Sequence, residues 1–179
     1  MSEPVPGGSR RSWTVADNRA TTLGNGTEGQ PQTLQGNVPV NALDYAISAS
    51  VTPHSSAVAD RDSVLLARCT DRETYYYAGI ASWGHKYAIG VVTEGANRQL
   101  DGVGDAAGII PDTTYHLTFA LSGSTLELYG GGQLVASVVD PTLIPATSYV
   151  GMQSSTPTGS TPTGQTSFGA ATVTTLPRH

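Results

Sequence analysis

The chain has 179 residues and a formal net charge of −5, and its charged residues amount to 13 %, about half of the roughly 25 % that is usual in soluble domains. No basic cluster accompanies this acidic balance, which argues against nucleic acid and anionic membrane as partners. The length suits one domain with a hydrophobic core. Cys69 is the only cysteine, so no intrachain disulfide can form.

The first twelve residues are rich in proline and glycine and predict an extended arm. No apolar run follows the charges of this arm, so we predict no signal peptide there. We therefore expect a product made in the cytoplasm, or one cut from a longer secreted chain. No stretch reaches the apolar length of a membrane span. The predicted regions are an arm at 1–12, a β-sandwich domain at 13–175 and a tail at 176–179.

Apolar patterns predict strands through the first half of the domain. Leu43–Val51 alternates between apolar and polar residues and is closed by Pro53. Val64–Cys69 is a continuous apolar run, which predicts a strand buried on both faces. Thr74–Ile80 and Lys86–Thr93 are predicted to pair as a hairpin around the turn at residues 82–85.

The second half continues the series of strands. We predict a short strand at Asn97–Leu100, a glycine-rich loop at Asp101–Asp112 and a three-stranded meander at Tyr115–Asp140. Further strands are predicted at Tyr149–Gln153 and Ser167–Thr175. No helix is predicted, so the fold class is all-β, a two-sheet antiparallel sandwich.

The meander is the clearest part of the pattern. Its three segments alternate between apolar and polar residues with the period of two that half-buried strands show. Ser122–Ser124 supplies the first tight turn. Gly130–Gly132 supplies the second, because glycine adopts the positive φ angles that hairpin turns need.

The predicted strands follow one another in the order LDYAISASV, VLLARC, YYYAGI, KYAIGVV, YHLTFALSGSTLELYGGGQLVASVVD and YVGMQ. Over Trp13 to Thr175 this order resembles the concanavalin A-like lectin/glucanase sandwich in its laminin-G-like form. The resemblance implies a jelly roll of the kind found in carbohydrate-binding modules and in capsid or tail proteins of bacteriophages. In that family the turn after the "LYxxG" strand often carries Asp or Asn, whereas here it is Gly131-Gly132.

Paired catalytic carboxylates are not evident in the sequence. Glycoside hydrolases of this fold use an E-x-D-x-x-E pattern on one strand face. Glu127 is the only acid in a clear strand interior, and its neighbours two positions away are Thr125 and Tyr129. We therefore expect no enzyme, and a glycoside hydrolase is kept only as an alternative.

An aromatic cluster on the predicted 74–93 hairpin is the one feature typical of binding. Tyrosine and tryptophan rings stack on sugar C–H faces and also anchor protein contacts. Alternation places Tyr75 and Tyr77 on one face and Tyr76 on the other, so one set must pack in the core. The alternative is that the whole cluster packs between two sheets. The candidate ligand-binding residues, for a glycan or a protein, are Tyr75, Tyr77, Trp83, His85 and Tyr87.

Calcium is the one cofactor that the sequence suggests. Lectin-like sandwiches often bind it through loop oxygens, and the candidate ligands are Asp101 and Asp105, or alternatively Asp60 and Asp62. Two acids fall short of the six to eight oxygens that calcium takes. The four histidines are widely spaced and predict no metal site, and His116 is read as facing outward.

The function expected first is a non-enzymatic structural or accessory subunit of a larger assembly, concretely a phage virion protein that decorates a capsid or tail. Its partners would be other protein subunits, including copies of itself, with a cell-surface glycan as a further ligand. Its location would be the virion, or alternatively outside the cell. The second hypothesis is a carbohydrate-binding module that acts through the aromatic hairpin.

Overall fold

A computed structural model describes residues 13–22, 32–36, 39–54, 62–81, 84–142, 144, 148–155 and 165–177. The predicted arm, Trp83 and Asp60 lie outside these residues. The strands are β1 Trp13–Ala16, β2 Arg19–Thr22, β3 Gln32–Gln35, β4 Tyr45–Pro53, β5 Ser63–Cys69, β6 Tyr75–Ile80, β7 His85–Thr93, β8 Ala96–Asp105, β9 Tyr115–Ser122, β10 Thr125–Gly130, β11 Gln133–Val139, β12 Tyr149–Ser154, β13 Thr166–Gly169 and β14 Thr172–Thr175. No helix in this part of the chain has the length and apolar character that crossing a bilayer requires.

The described strands form two antiparallel sheets, as predicted. The eight-stranded sheet has the order β1-β2-β13-β4-β9-β10-β11, and β14 pairs with β4 beside this path. The six-stranded sheet has the order β3-β12-β5-β6-β7-β8. The meander of β9, β10 and β11 is confirmed, and Gly131 and Gly132 adopt φ angles of +60° and +82° in its second turn.

The main core lies between the two sheets. Every second residue of each central strand points inward, so β4 and β9 contribute Ile47 and Phe119, while β5 and β7 contribute Leu65 and Ile89. All four side chains have no solvent exposure. Burial of such side chains supplies most of the free energy that holds the sheets together.

A second apolar cluster covers the opposite face of the six-stranded sheet. It consists of Val64, Leu66, Cys69, Tyr75, Tyr77 and Val92, with Tyr149 packed against it. All seven residues of β5 are buried, which confirms the prediction that Val64–Cys69 is buried on both faces. We call this face, which points away from the eight-stranded sheet, the outer face.

Four buried hydroxyl side chains join the two sheets at one point. Thr22 and Thr166 belong to the eight-stranded sheet, and Ser63 and Ser154 to the six-stranded sheet. The Thr166 hydroxyl lies 3.2 Å from that of Ser63 and accepts a bond from Ser154 at 3.3 Å. The Thr166 backbone N–H donates to the Thr22 hydroxyl at 2.8 Å. Each buried polar group in this hydroxyl cluster therefore has a partner.

The predicted loop at Asp101–Asp112 is wrong over its first five residues. Strand β8 continues to Asp105 because it pairs with β7 along its length, with a register shift opposite Ile89 and Gly90. A short 3-10 helix at Ala106–Gly108 follows. The segment is polar, glycine-rich and largely exposed, so it lacks the apolar alternation that would have identified the strand.

Candidate functional site

Strand register aligns the side chains of the outer face into rows that run across the sheet. One row joins a tyrosine, a glycine and an amide on neighbouring strands, namely Tyr77 of β6, Gly90 of β7 and Gln99 of β8. The adjacent row consists of small residues, Gly79, Ala88 and Gly102. The outer face therefore pairs an aromatic row with a row that has almost no side chains.

Tyr77 forms the floor of this face. Its ring occupies the space where a Cβ on Gly90 would lie, and its hydroxyl donates to Asn97 Oδ1 at 3.0 Å. Tyr77 is only 4 % exposed and Tyr75 only 8 %, and burial raises the pKa of the Tyr75 phenol. These two rings are therefore packed as a floor rather than presented for stacking on a sugar.

Tyr76 points the other way, as alternation predicts. It has no exposure and belongs to the main core. Its single hydroxyl hydrogen is shared between two acceptors, Asp140 Oδ2 at 3.1 Å and the Thr142 carbonyl at 3.0 Å. Burial, together with the Asp140 carboxylate, raises the pKa of Tyr76 to about 12.

Polar side chains border the floor on the β8 side. His85 is half-buried, and its Cδ2 lies 2.7 Å from where a Cβ on Gly102 would be. The Gln99 amide fills the same space above Gly102. Asn97 is exposed and is oriented by the Tyr77 hydroxyl. We call His85, Asn97 and Gln99 the polar border; only a glycine at 102 leaves room for its His85 and Gln99 side chains.

Among the candidate ligand-binding residues of the hairpin, Tyr87 lies on the opposite side of the sheet from Tyr75 and Tyr77. Tyr87 pairs with Ile80 on the inner side of the sheet, whereas Tyr77 pairs with Gly90 on the outer face. Its hydroxyl lies 2.9 Å from where a Cβ on Gly130 would be, and Lys86 Nζ sits 5.7 Å from the ring centroid. Trp83 lies outside the described residues.

Asp101 and Asp105, the predicted calcium ligands, lie far apart along one strand. They are four residues apart on the extended strand β8, so their α-carbons are about 13 Å apart. Asp101 accepts from the backbone N–H groups of Gly102 at 2.8 Å and Ser137 at 3.3 Å. Asp105 accepts from Ala107 N–H at 2.9 Å and caps the 3-10 helix. Among the described residues, no group of three or more His, Cys, Asp or Glu side chains is placed to hold a metal.

Sequence reasoning missed Asn97 and Gln99. The only signal for them is the predicted strand at Asn97–Leu100, which places both residues on the same side of that strand. Their position beside Tyr77 depends on the pairing of β7 with β8 and on the register shift within it. That shift cannot be read from one sequence.

No family model and no curated protein matches the chain, but solved structures do. The Bacillus subtilis carbohydrate-binding module CBM66 superposes with a TM-score of 0.72 at 14 % identity, over 90 % of this chain and 89 % of that one. The exoplasmic/lumenal domain of VIP36, in a Ca²⁺/Man3GlcNAc-bound form, has a TM-score of 0.69 at 10 % identity over 94 % and 84 %. The Bacillus licheniformis β-glucanase has a TM-score of 0.57 at 13 % identity over 94 % and 84 %. The chain therefore has the concanavalin A-like jelly-roll fold.

Proposed function

We propose that this protein is a carbohydrate-binding module. The observation that carries the proposal is the likeness to the CBM66 module, which extends over nearly the whole of both chains. The structure of VIP36, in a Ca²⁺/Man3GlcNAc-bound form, shares the same fold. The identities are low, so the proposal also depends on a surface of this chain that suits a sugar.

The polar border of the outer face is the surface that we propose binds the glycan. Amide groups both donate and accept, so Asn97 and Gln99 can each pair with adjacent sugar hydroxyls, and His85 adds a ring nitrogen. The border is ordered before a ligand arrives. The Tyr77 hydroxyl is hydrogen-bonded to Asn97, and the His85 and Gln99 side chains pack in the space that the missing side chain of Gly102 leaves. A preorganised site loses less side-chain entropy on binding.

We propose that the module binds glycans without cleaving them. Retaining hydrolysis needs two carboxyl groups about 5–5.5 Å apart. Glu127 lies within β10, but its cross-strand neighbours are Ala120 and Ser137, which are not acids. Its carboxylate instead accepts a bond from the Tyr129 hydroxyl at 2.8 Å.

The test is a glycan array followed by affinity electrophoresis on the glycans that bind. We expect Gln99→Ala and Asn97→Ala each to weaken binding about tenfold, which corresponds to about 1.4 kcal/mol. Gln133→Ala is the matched control, because this exposed amide lies on β11 of the other sheet. Equal affinities for the Gln99 and Gln133 variants would place the site elsewhere, and a wild-type protein that binds no glycan would contradict the function itself.

The hypothesis that Trp83 stacks on the sugar is tested in the same assay with Trp83→Ala. The hypothesis of a virion subunit, with its protein partners, its self-association and its location, stays a prediction, as does calcium binding. Within the described residues, no observation favours the virion subunit over the carbohydrate-binding module.

A further inference from the structure

A chain of hydrogen bonds crosses the solvent-facing side of the eight-stranded sheet, on the opposite side of the sandwich from the polar border. Asp112 Oδ1 lies 2.8 Å from His54 Nδ1. His54 Nε2 lies 2.9 Å from the Ser167 hydroxyl, which in turn lies 3.0 Å from the Thr21 hydroxyl. Carboxylate, imidazole and hydroxyl thus follow one another in the order that activates the nucleophile of serine hydrolases.

Backbone contacts fix the members of this chain. His54 follows the last residue of β4, and its N–H donates to the Gln165 carbonyl at 2.7 Å, just before β13. The Asp112 N–H donates to the Pro53 carbonyl, also at 2.7 Å. Ser167 lies in β13, between Thr21 of β2 and Thr52 of β4. The three side chains are therefore held together by sheet pairing rather than by their own contacts alone.

The direction of each bond follows from the chemistry of the groups. A carboxylate only accepts, so His54 Nδ1 carries the hydrogen. In the neutral ring Nε2 is then an acceptor, and the Ser167 hydroxyl donates to it. Because the Ser167 hydrogen is committed to His54, Thr21 is the donor in the bond to Ser167. This tautomer leaves His54 Nε2 ready to take the Ser167 proton.

We propose that Ser167 is the nucleophile of a second site, which accepts acyl groups from small esters. His54 is its general base, and Asp112 is a positioning residue that sets the tautomer. Ser167 is 4 % exposed, while the His54 and Asp112 side chains are 29 % and 75 % exposed. Because so little of Ser167 is exposed, only a small ester can approach its hydroxyl.

The step balances with water as the only co-reactant. The Ser167 oxygen attacks the ester carbonyl carbon while its proton moves to His54 Nε2. The carbon–oxygen bond to the alcohol then breaks, and the alcohol leaves with the proton from His54, which gives an acyl-serine. Water, deprotonated by His54, attacks this acyl-serine; the carboxylic acid departs, and Ser167 recovers its proton.

The reaction is slow by the standards of dedicated hydrolases. Loss of one oxyanion donor from a complete site lowers kcat about 10²- to 10³-fold. Here the Thr21 hydroxyl donates to Ser167 Oγ itself, so this bond weakens the nucleophile and does not stabilise the carbonyl oxygen of the ester. Asp112 is also exposed, and solvent screens its charge. Covalent labelling is consequently a better readout than turnover.

The experiment treats the full chain with an alkyl fluorophosphonate and follows the intact mass and the labelled peptide. The Ser167 oxygen displaces fluoride from phosphorus, and the proton passes to His54. We expect one adduct, on the Ser167 peptide, that is absent in Ser167→Ala. Labelling should fall about 100-fold or more in His54→Gln and about tenfold in Asp112→Asn, with slow p-nitrophenyl acetate hydrolysis changing in parallel.

Ser48→Ala is the matched control. The Ser48 hydroxyl lies on the same side of the same sheet and bonds to the Thr118 hydroxyl at 2.8 Å, so its loss should leave labelling unchanged. Unfolding midpoints of all variants identify any that fail to fold. No adduct on the wild-type Ser167 peptide, or equal labelling in a folded His54→Gln, would show that the chain of bonds only fastens β4 to β13. Glycan binding is read separately and is independent of either result.

Discussion

Gly90 and Tyr77 show how one missing side chain fixes the geometry of the outer face. The Tyr77 ring takes the volume that a Cβ on Gly90 would need, so the ring lies flat across β7 and reaches Asn97 on β8. A larger residue at position 90 removes both the packing and the hydrogen bond. This close approach, rather than backbone conformation, is the reason for a glycine here.

Gly90→Val should therefore destabilise the fold by about 2 to 4 kcal/mol, which adds the cost of overpacking to that of a lost hydrogen bond. Tyr77→Phe keeps the ring and should cost only about 1 kcal/mol. Urea unfolding measures both free energies. A Gly90→Val protein as stable as the wild type would mean that the ring does not occupy this position.

Asp140 makes stability depend on pH. Burial alone would raise its pKa, but the hydrogen bonds from Thr142 and Tyr76 and the nearby Arg98 outweigh burial, so the pKa lies below its ordinary value of 3.8. The charged form is therefore favoured in the folded state. Its contribution to stability is complete above the ordinary pKa and is lost as pH falls through the lowered one.

Asp140→Asn should accordingly make the free energy of unfolding depend less on pH in the acid range. We expect the wild type to lose more unfolding free energy than the variant between pH 5 and the acid limit of folding, because only the wild type takes up this proton on unfolding. Urea titrations at a series of pH values test this. Parallel curves for the two proteins would contradict it.

At the scale of elements, the hydroxyl cluster of Thr22, Ser63, Ser154 and Thr166 couples the two sheets through polar contacts within an otherwise apolar sandwich. Thr166 is its centre, since it bonds across to both β5 and β12. Loss of that one hydroxyl leaves two buried hydroxyl groups without this partner. Such groups are costly because they have given up water.

Thr166→Val should lower the unfolding free energy by about 1 to 3 kcal/mol. Thr172→Val is the control, since Thr172 is exposed on β14, and it should change stability by less than about 0.5 kcal/mol. Thermal and urea unfolding provide the measurement. A Thr166 variant no less stable than the Thr172 variant would show that the cluster contributes nothing to stability.

Elements with strong apolar periodicity were predictable, and those held by pairing were not. The meander and β5 carry their own pattern, so both predictions are confirmed. Strand β8 has no such pattern and forms because its backbone pairs with that of β7. Strand pairing also decides on which side of the sheet Tyr87 lies. His54, Asp112 and Ser167 are far apart in sequence, and pairing likewise brings them into contact.

At the scale of the whole molecule, the first residue that the structure describes is Trp13 of β1. The Trp13 ring packs on Phe168, with ring centroids 5.7 Å apart, and β1 pairs with β2. Deletion of Met1–Arg11 leaves all of these contacts in place. The deleted protein should therefore keep its fold.

We expect the deletion to shift the thermal midpoint by less than about 2 °C, since no described contact is lost. Sedimentation of the two proteins tests whether the arm contributes to the self-association that the virion-subunit hypothesis expects. Loss of self-association with an unchanged midpoint would support that role. A large fall in the midpoint would instead make the arm part of the folded domain.

The centre of the six-stranded sheet, at β5 and β6, has an apolar layer on both sides, whereas the eight-stranded sheet faces solvent on one side. Amide hydrogens of β5 and β6, where every residue is buried, should exchange with deuterium only when the whole molecule unfolds. Those of the edge strand β11 should exchange through local opening. The amide hydrogens of β5 and β6 are thus expected to persist longest, while those at the β11 edge of the eight-stranded sheet exchange much faster.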